Sequence, residues 1–386
     1  MLNAFTNGLA RVRTPAFSLK LGEKDITGNI QSRLISLIVT DNRGFEADTL
    51  TLTLDDADGQ IEMPERSTII TLAIGWQGAA LTEMGTFIVD QVSHKGAPDQ
   101  VSVTAKSADF RGSLNSQKSG SWHDTTLGAI VEEIAKRNKL ESSLPPALSE
   151  IKIAHIDQSK ESDADFLTRL ARRNGAEIAV KSGKLFFIVP GMCMVGGKTM
   201  PSATIARSDG DSHDFSVADR INYSGVTAYW QDTATPKNQN TVQLQRKSSP
   251  QKITPISHPQ AVSSATASKE KKESTGYTAG ADDNVLVLTT TFANQEEAIR
   301  AAQAEWSAIQ RYGAQFSLTL ALGRADLRPE MPVIVTGFKK AIDDTFWVIK
   351  KVTHTINTQG FISKVELEVN IQNTTVEIVQ KGKNNL

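Results

Sequence analysis

The feature that most constrains how this chain can fold is an internal repeat, which outranks any single motif. Leu50-Thr51-Leu52-Thr53-Leu54 is echoed by Leu318-Thr319-Leu320-Ala321-Leu322. The turn Glu62-Met63-Pro64 aligns with Glu330-Met331-Pro332, and Gly75-Trp76 with Gly337-Phe338. Thr86–Val89 and then Val92-Ser93-His94 correspond to Thr345–Val348 and then Val352-Thr353-His354. The alternating run Val101–Ala105 corresponds to Val365–Val369. Matches in one order predict two homologous β units. Within the first, leucine and threonine alternate with period two, so Leu50, Leu52 and Leu54 share a buried face. Ser67–Trp76, Thr86–His94 and Val101–Ala105 read as further short strands between turns, the pattern of a small barrel or sandwich.

The character changes between the two copies. Asp124–Lys139 sets Leu127, Ile130, Val131 and Ile134 on one helical face, with Asp124 or Thr125 as N-cap. Ser162–Asn174 reads as a second helix, capped by Ser162, with Asp163 and Asp165 at its positive end and Gly175 at C′. Ile178, Val180 and Lys184–Val189 form a hairpin against them. Val285–Thr291 reads as a strand, and Asn294–Tyr312 as a helix that turns Ile299, Ala302, Trp306 and Ile309 inward. The fold class expected is α+β, mainly β. Residues 1–110 form a first tube-type β-barrel domain and 111–200 an α/β insert. Residues 201–375 form a second such domain, with a polar basic insertion at 233–284, and 376–386 a tail.

That insertion holds one aromatic, Tyr277, and its 237–273 stretch carries seven Lys/Arg against two Glu. Such a composition buries too little apolar surface to offset its ordering entropy and reads as a solvated loop. The whole chain of 386 residues balances 42 basic against 43 acidic side chains, for a formal charge of −1. A dedicated nucleic-acid binder would be basic. The first residues, MLNAFTNGLARVR, lack a signal-peptide core, and the most apolar window, Leu185–Gly197, is too short to span a bilayer and contains Pro190. A soluble protein made in the cytoplasm, without membrane insertion, is expected.

No constellation carries catalytic or ligand chemistry. Gly196-Gly197-Lys198-Thr199 lacks the P-loop glycine spacing and is followed by Pro201, so it reads as a hairpin turn. Asp56, Asp58, Gly59 and Glu65 fit part of a calcium loop, but Leu54 stands where an acidic ligand is required, which leaves a polar turn. His94, His123, His155, His213, His258 and His354 show no paired spacing. His94 and His354 hold equivalent repeat positions, and His213 lies between Asp211 and Asp214 in a polar turn. Cys193, alone in the chain, can form no internal disulfide and reads as a packed or exposed thiol. Glu132-Glu133 and Asp163/Asp165 are explained by helix position. No cofactor, metal or catalytic residue is assigned.

Two similar β units per chain let a cyclic trimer present six quasi-equivalent domains, with edge strands pairing across boundaries. Leu50, Leu52, Leu54 and Leu318, Leu320, Leu322 mark the candidate inter-subunit edge strands. The stretches TDNRGFEADTLTLTLDDADGQ (40–60), SADFRGSLNSQKSGSWHDTTLGAIVEEIA (107–135), HIDQSKESDADFLTRLARRNG (155–175) and RADLRPEMPVIVTGFKKAI (324–342) make the chain resemble the late control protein D family. These are baseplate hub proteins of contractile-tailed bacteriophages, related to the base of type VI secretion spikes, and the resemblance runs from about residue 15 to 372. It implies a homotrimeric ring in the virion tail, assembled in the host cytoplasm, between a hexameric tail tube protein and a trimeric spike protein. Tape measure protein and other baseplate proteins would be neighbours, and phage DNA would pass through the lumen without sequence-specific contact. The family brings no catalytic residues. Related proteins often have glycine in the turn where this chain has Pro329-Glu330-Met331-Pro332, so that turn is where its geometry should depart. Two other readings compete: a cell-wall (murein) hydrolase using the α/β insert, and a glycan- or DNA-binding module using the basic loop.

Overall fold

The computed structural model describes residues 13–107, 113–217, 223–231, 239–246, 284–371 and 376–381. The molecule is mainly β. Its first strands are β1 (Pro15–Leu21), β2 (Lys24–Asp25), β3 (Leu34–Asn42), β4 (Thr49–Asp55), β5 (Ile69–Trp76), β6 (Thr82–Lys95) and β7 (Gln100–Ser107), with one short helix, α1 (Thr27–Gln31). They pair in the order β3-β4-β7-β6-β5-β1-β2. Alternation drives the core as the sequence predicts. Leu50, Leu52, Leu72, Ile74, Phe87, Val89, Val101 and Val103 converge in one buried cluster, and the intervening Thr49, Thr51 and Thr53 take the opposite face.

The insert follows: β8 (Gln117–Thr126), α2 (Leu127–Arg137), β9 (Glu141–Ser143), α3 (Pro146–Ser149), β10 (Lys152–Ser162), α4 (Asp163–Arg173), β11 (Glu177–Lys181) and β12 (Lys184–Ile188). The apolar stripes of α2 and α4 meet over Ile178, Val180, Leu185 and Phe187 in a core separate from the first. Ser162 caps α4 by accepting from the Asp165 amide at 3.0 Å, and Gly175 takes φ +70 at C′. Thr126, and neither Asp124 nor Thr125, caps α2; those two extend β8, so the helix begins one or two residues later than its composition suggests. Gly196 and Gly197, both at positive φ, turn the hairpin of β13 (Met194–Val195) and β14 (Lys198–Thr199), as expected of that stretch.

The remaining elements are β15 (Ala203–Ala206), β16 (Gly210–Val217), β17 (Gly225–Gln231), β18 (Gln239–Arg246), β19 (Val285–Phe292), α5 (Gln295–Arg311), β20 (Ala314–Leu320), β21 (Pro332–Thr336), α6 (Lys340–Asp343), β22 (Trp347–Asn357), β23 (Gly360–Val369) and β24 (Val376–Lys381). β16-β20-β23-β22 continue the large sheet, and β21 joins β22 to β15. Two sequence expectations change here. Val376–Lys381 is a strand, not a tail, and residues 239–246 of the expected polar insertion are β18. With β17 and β19 these form a second sheet, ordered β19-β17-β18-β24, on which α5 packs Ala302, Trp306 and Ile309 against Val226, Val242 and Leu244. This core, separate from the one that Phe316, Leu318, Trp347 and Val365 share in the second half of the large sheet, was unforeseen. The rest of 237–273, with His258, lies outside the described residues. No helix among the described residues is long and apolar enough to cross a membrane.

Candidate assembly surface

The two halves of the large sheet repeat one pairing scheme. β3-β4-β7-β6-β5 is matched strand for strand by β16-β20-β23-β22-β21. Leu52 lies opposite Val103, and Leu318 opposite Val365. Val92 pairs with Val103, and Val352 with Val365. Irregularities recur too. The β6/β7 ladder is bulged between Val89 and Gln91, and β22/β23 between Ile349 and Lys351. β3/β4 is bulged between Leu34 and Ser36, and β16/β20 between Gly210 and Ser212. Bulges are built features of a sheet, so their recurrence is stronger evidence of kinship than strand count. The last strands differ: β1 runs antiparallel to β5, whereas β15 runs parallel to β21.

These registers correct the alignment read from sequence. Leu50, Leu52 and Leu54 correspond to Phe316, Leu318 and Leu320, two residues earlier than the leucine pattern suggests. Met331-Pro332 corresponds to Thr68-Ile69, not to Met63-Pro64. Amide-to-carbonyl bonds from Ser67 to Val89 and from Glu330 to Ile349 fix that equivalence. Both Ser67 and Glu330 adopt left-handed backbone, at φ +74 and +67.

The expected edge strands are not edges. β4 is paired by β3 and β7, and β20 by β16 and β23, so Leu50, Leu52, Leu54, Leu318 and Leu320 are interior core residues. Leu322 lies beyond β20 and is exposed. Period-two patterning reports which face of a strand is buried and nothing about its lateral neighbours.

The lateral neighbours matter at the seam between the halves. β22 leaves β21 after Val348, and from Lys351 to Asn357 it pairs antiparallel with Asn42 to Ser36 of β3. The equivalent stretch of β6 also leaves its β5 ladder, at Ile88, and is held by β7 alone. β16, the counterpart of β3, forms a ladder only with β20 among the described residues. One seam is closed within the chain. The two strand flanks that would make its copy, on the last residues of β6 and on β16, are largely exposed.

A charged cluster fixes the insert to both halves. Arg43, 4% exposed, donates from Nε and Nη2 to Glu177 of β11 at 3.1 and 3.0 Å. Its Nη1 contacts Glu330 at 3.3 Å and Glu368 of β23. Glu330 also accepts from the Gly191 amide at 3.1 Å. Burial pushes the Glu330 carboxyl up to about 7, against the pull of Arg43. Nearby, Lys181 bridges Asp41, Asp48 and the Asn42 carbonyl. Burial, and then the Asp41 charge, raises Asp48 to about 6. The turn expected to depart from related proteins is therefore the one where a left-handed residue is a glutamate, locked by its side chain.

The other singled-out residues have structural partners. Asp56 accepts from the Ile61 amide and Asp58 from Arg33, as in a polar turn. His213 meets Phe338 edge-on at 5.0 Å. Cys193 is buried; desolvation and the Glu330 charge push its thiol up to about 11, which disfavours the nucleophilic thiolate. Glu133 accepts from the Trp122 indole. Asp163 is buried, yet donors from Arg137, Lys118, Asn138 and Gln158 hold it down at about 2, where it gives no proton at neutral pH. Asp165 faces the Ser162 hydroxyl.

Comparisons with known proteins agree with one another. The family described as phage tail baseplate hub (GPD) matches residues 49–360. A probable baseplate hub protein of Escherichia phage 186 is 52% identical over 377 residues, covering 96% of this chain and 97% of that protein. One from Escherichia phage P2 is 52% identical over 382 residues, covering 98% and 99%. Among solved structures, a tail protein from Neisseria meningitidis MC58 superposes with TM-score 0.63 at 14% identity, covering 92% of this chain and 96% of its own.

Proposed function

The chain belongs to the phage tail baseplate hub family, and from that membership we propose that three copies close into a ring by repeating between subunits the seam that each chain makes within itself. The two halves of the large sheet are read as two tube-type β-barrel domains, so three chains present six around the axis. The observation that carries this reading is the β22·β3 seam, together with its two unused counterparts. Applying the repeat equivalences to that seam sets β6 of one subunit against β16 of the next. Val92 then falls opposite Val217, Ser93 opposite Ser216, and Lys95 opposite Asp214, a cross-strand pair of opposite charge. The contact is heterologous, and a closing rotation makes a ring instead of a filament. It also covers two open edges that would otherwise recruit stray strands.

The face opposite the cores suits a channel wall for passing DNA. Thr51, Thr104, Thr40 and Thr353 line it, and it carries charges of both signs. Lys106 meets Asp90 at 2.9 Å, and Lys351 lies across from Glu366. Hydroxyls and neutralised lysines retain little phosphate, whereas clustered unpaired cations would hold it. A tail tube on one side and a spike on the other complete the proposed role, played in the virion baseplate after assembly in the host cytoplasm. Nothing among the described residues favours the hydrolase alternative: Asp163 and Asp165 are engaged in an ion pair and a helix cap, and Glu133 accepts from the Trp122 indole.

Light-scattering mass of the full chain, with and without a co-expressed spike, tests the ring. A trimer is expected in at least one condition; a stable monomer in both overturns it. Ser93→Cys/Ser216→Cys tests the register, and oxidation should give covalent species that stop at three chains.

A further inference from the structure

We propose that His123 and His155 form a binding site for a divalent transition cation, zinc foremost, on the exposed strand pair of the insert. The two residues are directly opposite in the β8·β10 register. Their rings stack with centroids 4.6 Å apart, and their Nδ1 atoms lie 3.1 Å from each other. Two neutral imidazoles hold this distance only if one Nδ1 carries a proton and the other a lone pair.

The assignment follows from the far side of His155. Its Nε2 lies 3.1 Å from Asp157 Oδ2, and the other Asp157 oxygen accepts from Ser121 at 2.5 Å. With the Ser121 hydroxyl donating to one Asp157 oxygen, the other is left as the acceptor that faces Nε2, so Nε2 carries the proton. His155 Nδ1 is therefore the lone pair, and His123 Nδ1–H donates to it. A carboxylate behind an imidazole is the orienting partner typical of a metal-bound histidine.

The spacing suits a cation in place of that shared proton. With metal–nitrogen bonds of about 2.0–2.1 Å, two ligands sit about 2.9 Å apart at a right angle and about 3.3 Å apart at the tetrahedral angle. The observed 3.1 Å falls between. On binding, the His123 proton moves to Nε2 through solvent, and both Nδ1 lone pairs go to the metal. Neutral imidazoles favour zinc, copper and nickel over calcium or magnesium. Asp157 faces the opposite nitrogen and is not a ligand, consistent with no cluster of three ligating side chains among the described residues. Water fills the other positions, and both histidines are open to it.

Zinc chloride titrated into the chelator-treated full chain at pH 7.5, read by equilibrium dialysis, tests the site. One saturable equivalent is expected. His123→Ala and His155→Ala should each abolish it with unchanged circular dichroism, and Asp157→Asn should weaken it about tenfold. The histidine C2–H resonances should shift with the same saturation. No saturable binding, or binding that survives both alanine variants, overturns the proposal.

Discussion

The two halves of the large sheet share strand order and bulges, yet they treat equivalent positions in opposite ways. His94 is exposed at 42% of its side chain, whereas His354 is buried at 1%. The difference lies in the neighbour. β22 is covered on its free flank by β3, and His354 is boxed in by the Val39 backbone, Ser363 and Phe361; the same flank of β6 has no strand beside it. The left-handed elbow differs as well, being Ser67 in one half and an ion-paired Glu330 in the other. On the proposed reading, one half of the sheet is finished by its own chain and the other is left for a partner.

The largest effect expected is at the charged elbow. Arg43→Ala strands Glu330 and Glu368 in a dry site, and losing one partner of a buried ion pair costs about 3–5 kcal/mol. Urea unfolding should show that loss, and Glu330→Gln added to Arg43→Ala should recover part of it. Equal loss with and without the second change would mean that the carboxylate is not what Arg43 neutralises.

The next effects are a pair that oppose each other in pH. Burial lowers His354 to about 4 from 6.5, and the ring is neutral in the fold. A depressed pKa gives stability that is present above pH 6.5 and lost as pH falls through 4. Glu330 is raised to about 7 from 4.5, so its contribution is present below pH 4.5 and lost as pH rises through 7. Each shift spans 2.5 units, or about 3 kcal/mol. Between pH 4.5 and 6.5 the two slopes offset. Relative to the parent, Glu330→Gln should lose stability on acidification and His354→Leu on alkalinisation, read from denaturation midpoints at several pH values. Variants that track the parent at every pH would refute the assignment.

The seam between subunits should respond to charge. Lys95→Glu or Asp214→Lys sets like charges opposite each other across the proposed strand pair, at roughly 0.2–1 kcal/mol per seam. Each single change should shift the mass toward monomer. The double exchange should restore it, and failure to do so would move the seam to another register.

Much of the fold was legible because burial in a sheet leaves a period-two trace. The strands around Leu50 and Val101, and the stripes of α2 and α4 with the Ser162 cap, needed only local chemistry. What escaped depended on neighbours distant in sequence. β18 and β24 are polar strands whose partners lie far apart, so composition read them as loop and tail. The β22·β3 seam could not be seen in the leucines, since a hydrogen-bonding edge has no side-chain signature. Arg43 and its glutamates come from four separate elements, and His123 meets His155 only through a register. The Met-Pro match was a coincidence beside an elbow whose kinship lies in φ and not in residue type.

That elbow offers the smallest and sharpest test. A non-glycine residue at positive φ pays roughly 1–2 kcal/mol of backbone strain, and glycine removes it at a loss of about 0.5–1 kcal/mol through unfolded-state freedom. Ser67 is at φ +74, with a serine hydroxyl where the other elbow carries a carboxylate. Ser67→Gly should therefore stabilise the chain by up to about 1 kcal/mol, measured by chemical denaturation. Glu330→Gly should gain less, because it also empties a fully buried position and leaves the Gly191 amide without its acceptor. If Ser67→Gly destabilises instead, its left-handed backbone is not under strain, and the two elbows are alike in shape alone.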